Sequence, residues 1–351
     1  MSEPWAEMGK AGLPLKVWMI DESDFPSTGS VAGRIRFLLG YAILAPSGHN
    51  TQPWLFRIEG DSAELRADRS RALPVVDAED RELLISCGAA LETLLIAAAH
   101  FGLRTDVSVL PEPDEEDLLA RIIFHEDGRP EEAESRLFDA ITKRHTNRQA
   151  FEDRELPDGL VDELRAVAAA AGAGLHEITG GERSEVAGLV AEGDRIQMAD
   201  RSFRRELAAW IHPNRSRNGD GMRGYGFGFN DLMSYAGPLV IRSFDLGKGQ
   251  AAKDQELAQA SPLLAVLWTA AEDPAAWVAT GRALQRILLA AGATGVSASF
   301  LNQPIEVAEV RGRLARAIGR PDGFPQLLLR LGFGPEVKPE PRRPVADVLS
   351  E

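Results

Sequence analysis

The chain has 351 residues, 44% of them hydrophobic and 26% charged, with a net charge of −14 and one cysteine. It is long and apolar enough to bury the core of one large domain or two ordinary ones. Its acidity argues against nucleic acid or an anionic membrane as the main partner, and the lone Cys87 excludes a disulfide framework or a Cys-rich zinc site. Against this acidic background, any local group of arginines is informative.

Residues 1–26 read as an extended arm. They lack the basic region followed by an apolar run that marks a secretion signal, so a cytoplasmic location is expected. "SVAGRIRFLLGYAILA" then puts Val31, Ile35, Leu38, Leu39 and Ala42 on one helical face, with Pro46 as the stop. "WLFRIEG" and "AELRAD" read as a hairpin across Asp61-Ser62. The apolar run Leu83 to Leu103 is broken by Ser86, Glu92, Thr93 and His100, which suits a buried helix (82–101) and not a membrane span. Strands "TDVSVLP" and "LLARIIFH" follow, and a helix over 131–143 opens the second half.

From there the pattern predicts a helix (158–171), strand "GLHEIT", a long helix over 182–211 and a glycine-aromatic loop. Strand "PLLAVLWTA", helix 274–293, strand "GVSASFL", helix 305–318, strand "PQLLLRLGF" and a polar, proline-rich tail complete the chain. Helices and strands mix without strict alternation, so the expected class is α+β. "GAALETLLIAAAHFG" (88–102) and "GRALQRILLAAGATG" (281–295) align without a gap, with Gly88/Gly281, Leu91/Leu284 and Gly102/Gly295 among the identities. A strand-like segment follows each, which reads as two diverged halves of one ancestral unit, 27–130 and 131–351.

Three motifs carry polar chemistry. "APSGHNTQPW" (45–54) sets Ser47, Asn50 and Thr51 between two prolines, and Gly48 lets a ligand approach backbone N–H groups. Pro53 biases Gln52 to an extended conformation. The loop suits a polyol or a planar heterocycle, and it equally suits a turn whose Ser and Asn satisfy their own backbone. In "ITKRHTNRQAF", Arg144, Thr146 and Arg148 recur at every second position. An extended segment would project them on one side towards a phosphate, whereas a helix terminus would leave them solvated. Arg342-Arg343 in the tail either lie on the surface or return to the same anion. Signatures of other chemistries are missing: there is no GxGxxG, P-loop, HExxH or GxSxG, and the six histidines are too scattered to suggest a metal site.

"APSGHNTQPW" resembles the signature loop of the nitroreductase superfamily of FMN-binding proteins, "KRHTNR" its basic opening motif and "RR" its closing one. With "ISCGAALETL", "ASPLLAVL", "GRALQRILL" and "SFLNQP", the chain is similar over most of 27–350 to the Acg-like branch, in which two such units are fused. The resemblance implies an α+β nitroreductase-like fold whose two repeats form an intramolecular pseudo-dimer, as a monomer or weak homodimer. It implies FMN at the interface between halves and NAD(P)H as reductant. Arg144, Thr146, Arg148, Arg342 and Arg343 would serve the phosphate and ribityl chain, and Ser47, Gly48 and Asn50 would come from the facing half. His49 falls at a variable position.

Backbone groups near Ser299 and Phe300 would meet the flavin edge. No side chain is required as acid or base, since the flavin itself carries hydride. The first half has no counterpart of the 144–148 motif, and the second passes "AAAAGAGLHEIT" where its own loop would stand, so one FMN per chain is expected. The glycines and aromatics of 217–235 suit a lid, placed over 213–235, or a pinned connection. Reduction of a nitroaromatic, quinone or similar small acceptor is implied, with FMN sequestration as the alternative.

Overall fold

The computed structural model describes residues 15–129 and 132–350, so the first fourteen residues of the expected arm lie outside the described residues. Ser30 caps the first helix, α1 (Val31–Ala42), by accepting from the Gly33 N–H. The hairpin β1 (Trp54–Glu59) and β2 (Ser62–Ala67) follows, and its turn sits on Gly60-Asp61, with Gly60 at φ +62. Next come α2 (Arg81–His100), β3 (Arg104–Val109) and β4 (Leu118–His125). The four strands make an antiparallel sheet in the order β1-β2-β4-β3.

Helices α3 (Glu132–Ile141) and α4 (Leu160–Ala170) lead to β5 (Gly174–Glu177), α5 (Glu182–Ala199) and α6 (Arg201–Ala209). The short parallel pair β6 (Ile211–His212) and β7 (Met222–Arg223) precedes α7 (Asp231–Ser243) and α8 (Gly247–Ala260). Then follow β8 (Leu263–Thr269), α9 (Pro274–Ala293), β9 (Ser297–Phe300), α10 (Gln303–Glu306), α11 (Ala308–Ala317), β10 (Phe324–Gly332) and α12 (Val345–Val348). The second sheet, β5-β8-β10-β9, is also antiparallel. Its central strand β8 is buried on both faces, Leu263, Ala265 and Leu267 in the main core and Leu264 and Val266 in a second one. That is why its sequence is a continuous apolar run without alternation.

Three expectations are corrected. The helix over 182–211 is two helices, because Asp200 leaves helical geometry and caps α6 through the Ser202 N–H. The helix over 305–318 breaks at Val307, which is extended at φ −97, ψ 104. Helices α7 and α8 fill a region in which no element was expected. Pro238 inside α7 and its exposed Leu232, Tyr235 and Leu239 disguise the usual apolar stripe.

The main core runs from Leu15 to Val348 and is built round α2 and α9, which pack directly on each other. A Cβ on Gly88 would lie 2.2 Å from the Val278 carbonyl oxygen, and one on Gly281 would lie 1.9 Å from that of Ile85. Each glycine therefore meets the carbonyl of the residue three positions before the other. Helix α2 is apolar enough to cross a membrane by length and composition, but nearly all of it is buried inside the protein. The tail returns to the first sheet, where Leu349 bridges Phe56, and the segment after α3 reaches the second, where Thr146 bridges Ala298. These two returns bring distant motifs to one place.

Candidate functional site

The loop 45–54 is strained and over-determined. His49, Asn50 and Gln52 all have positive φ, at 48, 56 and 54, a conformation side chains seldom adopt outside functional or tightly held segments. Gln52, expected to be extended ahead of Pro53, is corrected here. It is held in place because its N–H donates to Ser47 Oγ at 2.9 Å, its Nε2 donates to Gly219 O at 2.8 Å, and its Oε1 accepts from the Arg343 N–H at 2.8 Å. The Gly48 N–H donates to Ser86 Oγ on α2. Asn50 is 7% exposed, and its amide is spent inside the protein: Nδ2 donates to Gly221 O and Pro341 O, and Oδ1 accepts from Arg342 Nη1 at 2.8 Å. Its work is therefore to position Arg342 and to tie three chain segments together.

Segment 144–148 runs extended beside β9, with the Asn147 N–H donating to Ala298 O. Arg144, Thr146 and Arg148 line one cavity of about 550 Å³, within the size range of small-molecule sites, and so do Ser47, Gly48, Asn50, Arg342, Ser299 and Phe300. Arg343 does not line it. Its guanidinium donates to Gln52 O and Asp347 O and stands 3.6 Å from Asp68, so the second tail arginine braces the loop. His49 also lines the cavity, and burial together with nearby Arg148 lowers its pKa to about 4, leaving the ring neutral.

Arg144 is 7% exposed and Arg342 4%, and both donate to the same Leu44 carbonyl oxygen, at 3.2 and 3.3 Å. Arg144 makes no ion pair among the described residues, and the Nε of each arginine has no hydrogen-bond partner. Burial lowers Arg144 to about 10, while burial and repulsion by Arg144 lower Arg342 to about 9. A guanidinium keeps its proton in a protein, so this cost is expressed as a demand for an anion. The one acid close by is the buried Glu340, which accepts from the Arg223 N–H and lies 3.6 Å from Arg148.

The same cavity is also lined by four acids, Glu82 from α2, Asp194 from α5, Asp254 from α8 and Glu306 from α10, together with Lys253 and Arg330. Burial raises all four; it pushes Glu82 and Asp194 up to about 7 and Glu306 up to about 8, with like-charge repulsion adding to each. Segment 213–235 contributes Met222, Phe227 and Phe229 to the cavity wall. It is fastened to the loop by the Gly221 N–H to Asn50 O bond and by the Arg71–Asp220 ion pair.

No protein-family model matches the chain. A protein of Mycobacterium tuberculosis H37Rv named "Putative NAD(P)H nitroreductase Rv3131" is 31% identical over 324 residues, covering 91% of each chain. The chain belongs to the NAD(P)H nitroreductase family. The "Putative NAD(P)H nitroreductase acg" of the same strain is 28% identical over 331 residues, covering 92% of this chain and 97% of that one. Among solved structures, an FMN and NADPH-dependent nitroreductase, NfnB, from "sphigopyxis sp. strain HMH" matches at a TM-score of 0.42 and 19% identity. It covers 61% of this chain and 98% of that one.

Sequence reasoning missed several residues lining the cavity of this nitroreductase-family chain. Arg330 is 1% exposed on β10, donates to Asn147 O and Gln149 O, and lies over the Phe151 ring. Its signal was available, since an arginine inside the leucine run "QLLLRLGF" needs buried partners. Trp18 stacks edge-on against His145, lies over Arg342 and donates to Glu340 O, and nothing in the arm foretold it. The four acids come from four separate helices with no shared spacing.

Proposed function

We propose that this chain is an FMN-dependent NAD(P)H oxidoreductase of nitroreductase type, reducing nitroaromatic, quinone or similar small acceptors, with one FMN per chain. One observation carries the reading: the buried guanidiniums of Arg144 and Arg342 converge beside the strained loop, and neither forms an ion pair among the described residues. A flavin phosphate supplies an anion through charge-assisted, bidentate bonds. Arg144, Arg148 and Arg342 hold it, Thr146 and Ser47 offer hydroxyls to the sugar chain, and backbone near Ser299 and Phe300 meets the ring edge. Bound FMN would supply the two-electron carrier between NAD(P)H and the acceptor. Helices α2 and α9, meeting through Gly88 and Gly281, support reading 27–130 and 131–351 as fused repeats in a pseudo-dimer. In that arrangement 213–235 is the lid.

The fastening of 213–235 to Asn50 and Arg71 favours a second reading, FMN sequestration with little turnover. Titrating FMN into the purified protein is expected to saturate at one per chain. Anaerobic NADPH then separates the readings: repeated bleaching with a quinone present marks the enzyme, and a bound but unreactive flavin marks storage. A protein that takes up no FMN overturns both.

A further inference from the structure

We propose that the carboxylate wall of the cavity binds a positively charged organic nitrogen group, so that the preferred electron acceptor is a cation. This rests on the cofactor reading above, in that the arginine end of the cavity is then taken by the cofactor's phosphate. Glu82, Asp194, Asp254 and Glu306 come from four different helices and line the same space. Their partners are mostly neutral amides. Gln303 Nε2 donates to Asp194 Oδ1 at 3.1 Å and to Asp254 Oδ2 at 2.8 Å, Gln250 Nε2 donates to Asp254 Oδ2, and Gln197 Nε2 donates to Glu306 Oε2 at 2.6 Å. Only Glu82 is ion-paired among the described residues, with Arg81.

An amide donating to a carboxylate favours its ionised, accepting form. These bonds oppose the burial that raises all four groups. Two buried acceptors of cavity-lining residues are left over: Asp194 is 3% exposed, yet its Oδ2 receives no hydrogen bond among the described residues, and neither does Gln303 Oε1. A buried oxygen of this kind calls for a donor from outside the protein. Lys253 and Arg330, which also line the cavity, act on Asp254, and Arg195 acts on Asp194, none of them forming an ion pair with these acids among the described residues. An organic ammonium group supplies both a hydrogen-bond donor and the offsetting positive charge. The appetite of these groups for protons has the same origin: positive charge offsets buried negative charge.

The test uses FMN-loaded protein and three nitrobenzenes carrying different para groups: ammoniomethyl, its uncharged ethyl isostere, and carboxymethyl. Binding to the oxidised holoprotein is followed by perturbation of the flavin absorption, without turnover. The cation is expected to bind at least tenfold more tightly than the isostere, and the anion more weakly than either. Asp194→Asn is expected to cut the cation's advantage about tenfold and leave FMN affinity within twofold of the parent. Glu306→Gln provides the same test if Asp194→Asn fails to fold. Equal binding of cation and isostere, or an advantage that survives both substitutions, overturns the proposal. If the protein takes up no FMN, the cofactor reading fails by itself, and calorimetric titration of the same three probes into the flavin-free protein still decides the wall's preference.

Discussion

Arg144→Met is expected to stabilise the ligand-free protein by about 1–3 kcal/mol while weakening FMN binding roughly a hundredfold. The two effects run in opposite directions because Arg144 is a buried cation without an anion. Its one hydrogen bond goes to Leu44 O, which keeps a donor in Arg342 Nη2 after the change. A methionine of similar volume therefore removes a desolvated charge, and its repulsion of Arg342, without orphaning a backbone acceptor. With FMN present the balance reverses, since each charge-assisted bond to a phosphate is worth about 1.5–3 kcal/mol. Arg342→Met should behave differently and lower both quantities. It strips Asn50 Oδ1 of its donor and loosens the three segments Asn50 ties together. Denaturant unfolding without flavin and quenching of FMN fluorescence measure the two halves of the prediction. Parallel loss of stability and affinity in Arg144→Met would show that Arg144 is a structural brace and not part of an anion site.

The contrast between these two arginines shows what a sequence can and cannot disclose. Loop 45–54 and the alternation at 144, 146 and 148 are legible as local patterns, but the proline rule misplaces Gln52, whose positive φ is held by Ser47, Gly219 and Arg343. The matching segments 88–102 and 281–295 are legible as helices, and each keeps the glycine at which the two touch. Arg342 and Arg343 are neighbours in a tail with no periodicity, and their roles diverge through partners about 290 residues away: Asn50 for one, Gln52 for the other. The acid wall has no local signature, since its members lie on helices whose packing alone brings them together. Helices α7 and α8 escaped notice for a related reason. A helix is recognised by a buried apolar stripe, and α7 leaves Leu232, Tyr235 and Leu239 in solvent.

Gly281→Ala is expected to destabilise the protein by about 3 kcal/mol or more, against the gain of up to about 1 kcal/mol that replacing a helical glycine with alanine ordinarily brings. The added methyl would sit 1.9 Å from the Ile85 carbonyl oxygen and 2.8 Å from the Ala89 nitrogen. Both are backbone atoms of α2, so no side chain can rotate away, and the helices must separate. Gly88→Ala meets Val278 O at 2.2 Å and is expected to act in the same direction. Gly312→Ala is the control: it lies inside α11, its nearest contact is the mobile end of Arg316 at 3.9 Å, and it should be neutral or stabilising. The consequence reaches the cavity because Glu82, Ile85 and Ser86 of α2 and Leu284 of α9 line it. Separating the helices shifts Ser86, which holds the Gly48 N–H, and with it the loop that positions Arg342. FMN affinity should therefore fall in Gly281→Ala even where the folded state is fully populated, although the substitution touches none of the residues proposed to hold FMN. Unfolding and flavin titration on the three variants check this. A Gly281→Ala protein as stable as Gly312→Ala would mean that the two helices do not meet backbone to backbone, and the symmetric contact on which the two-repeat reading leans would be lost.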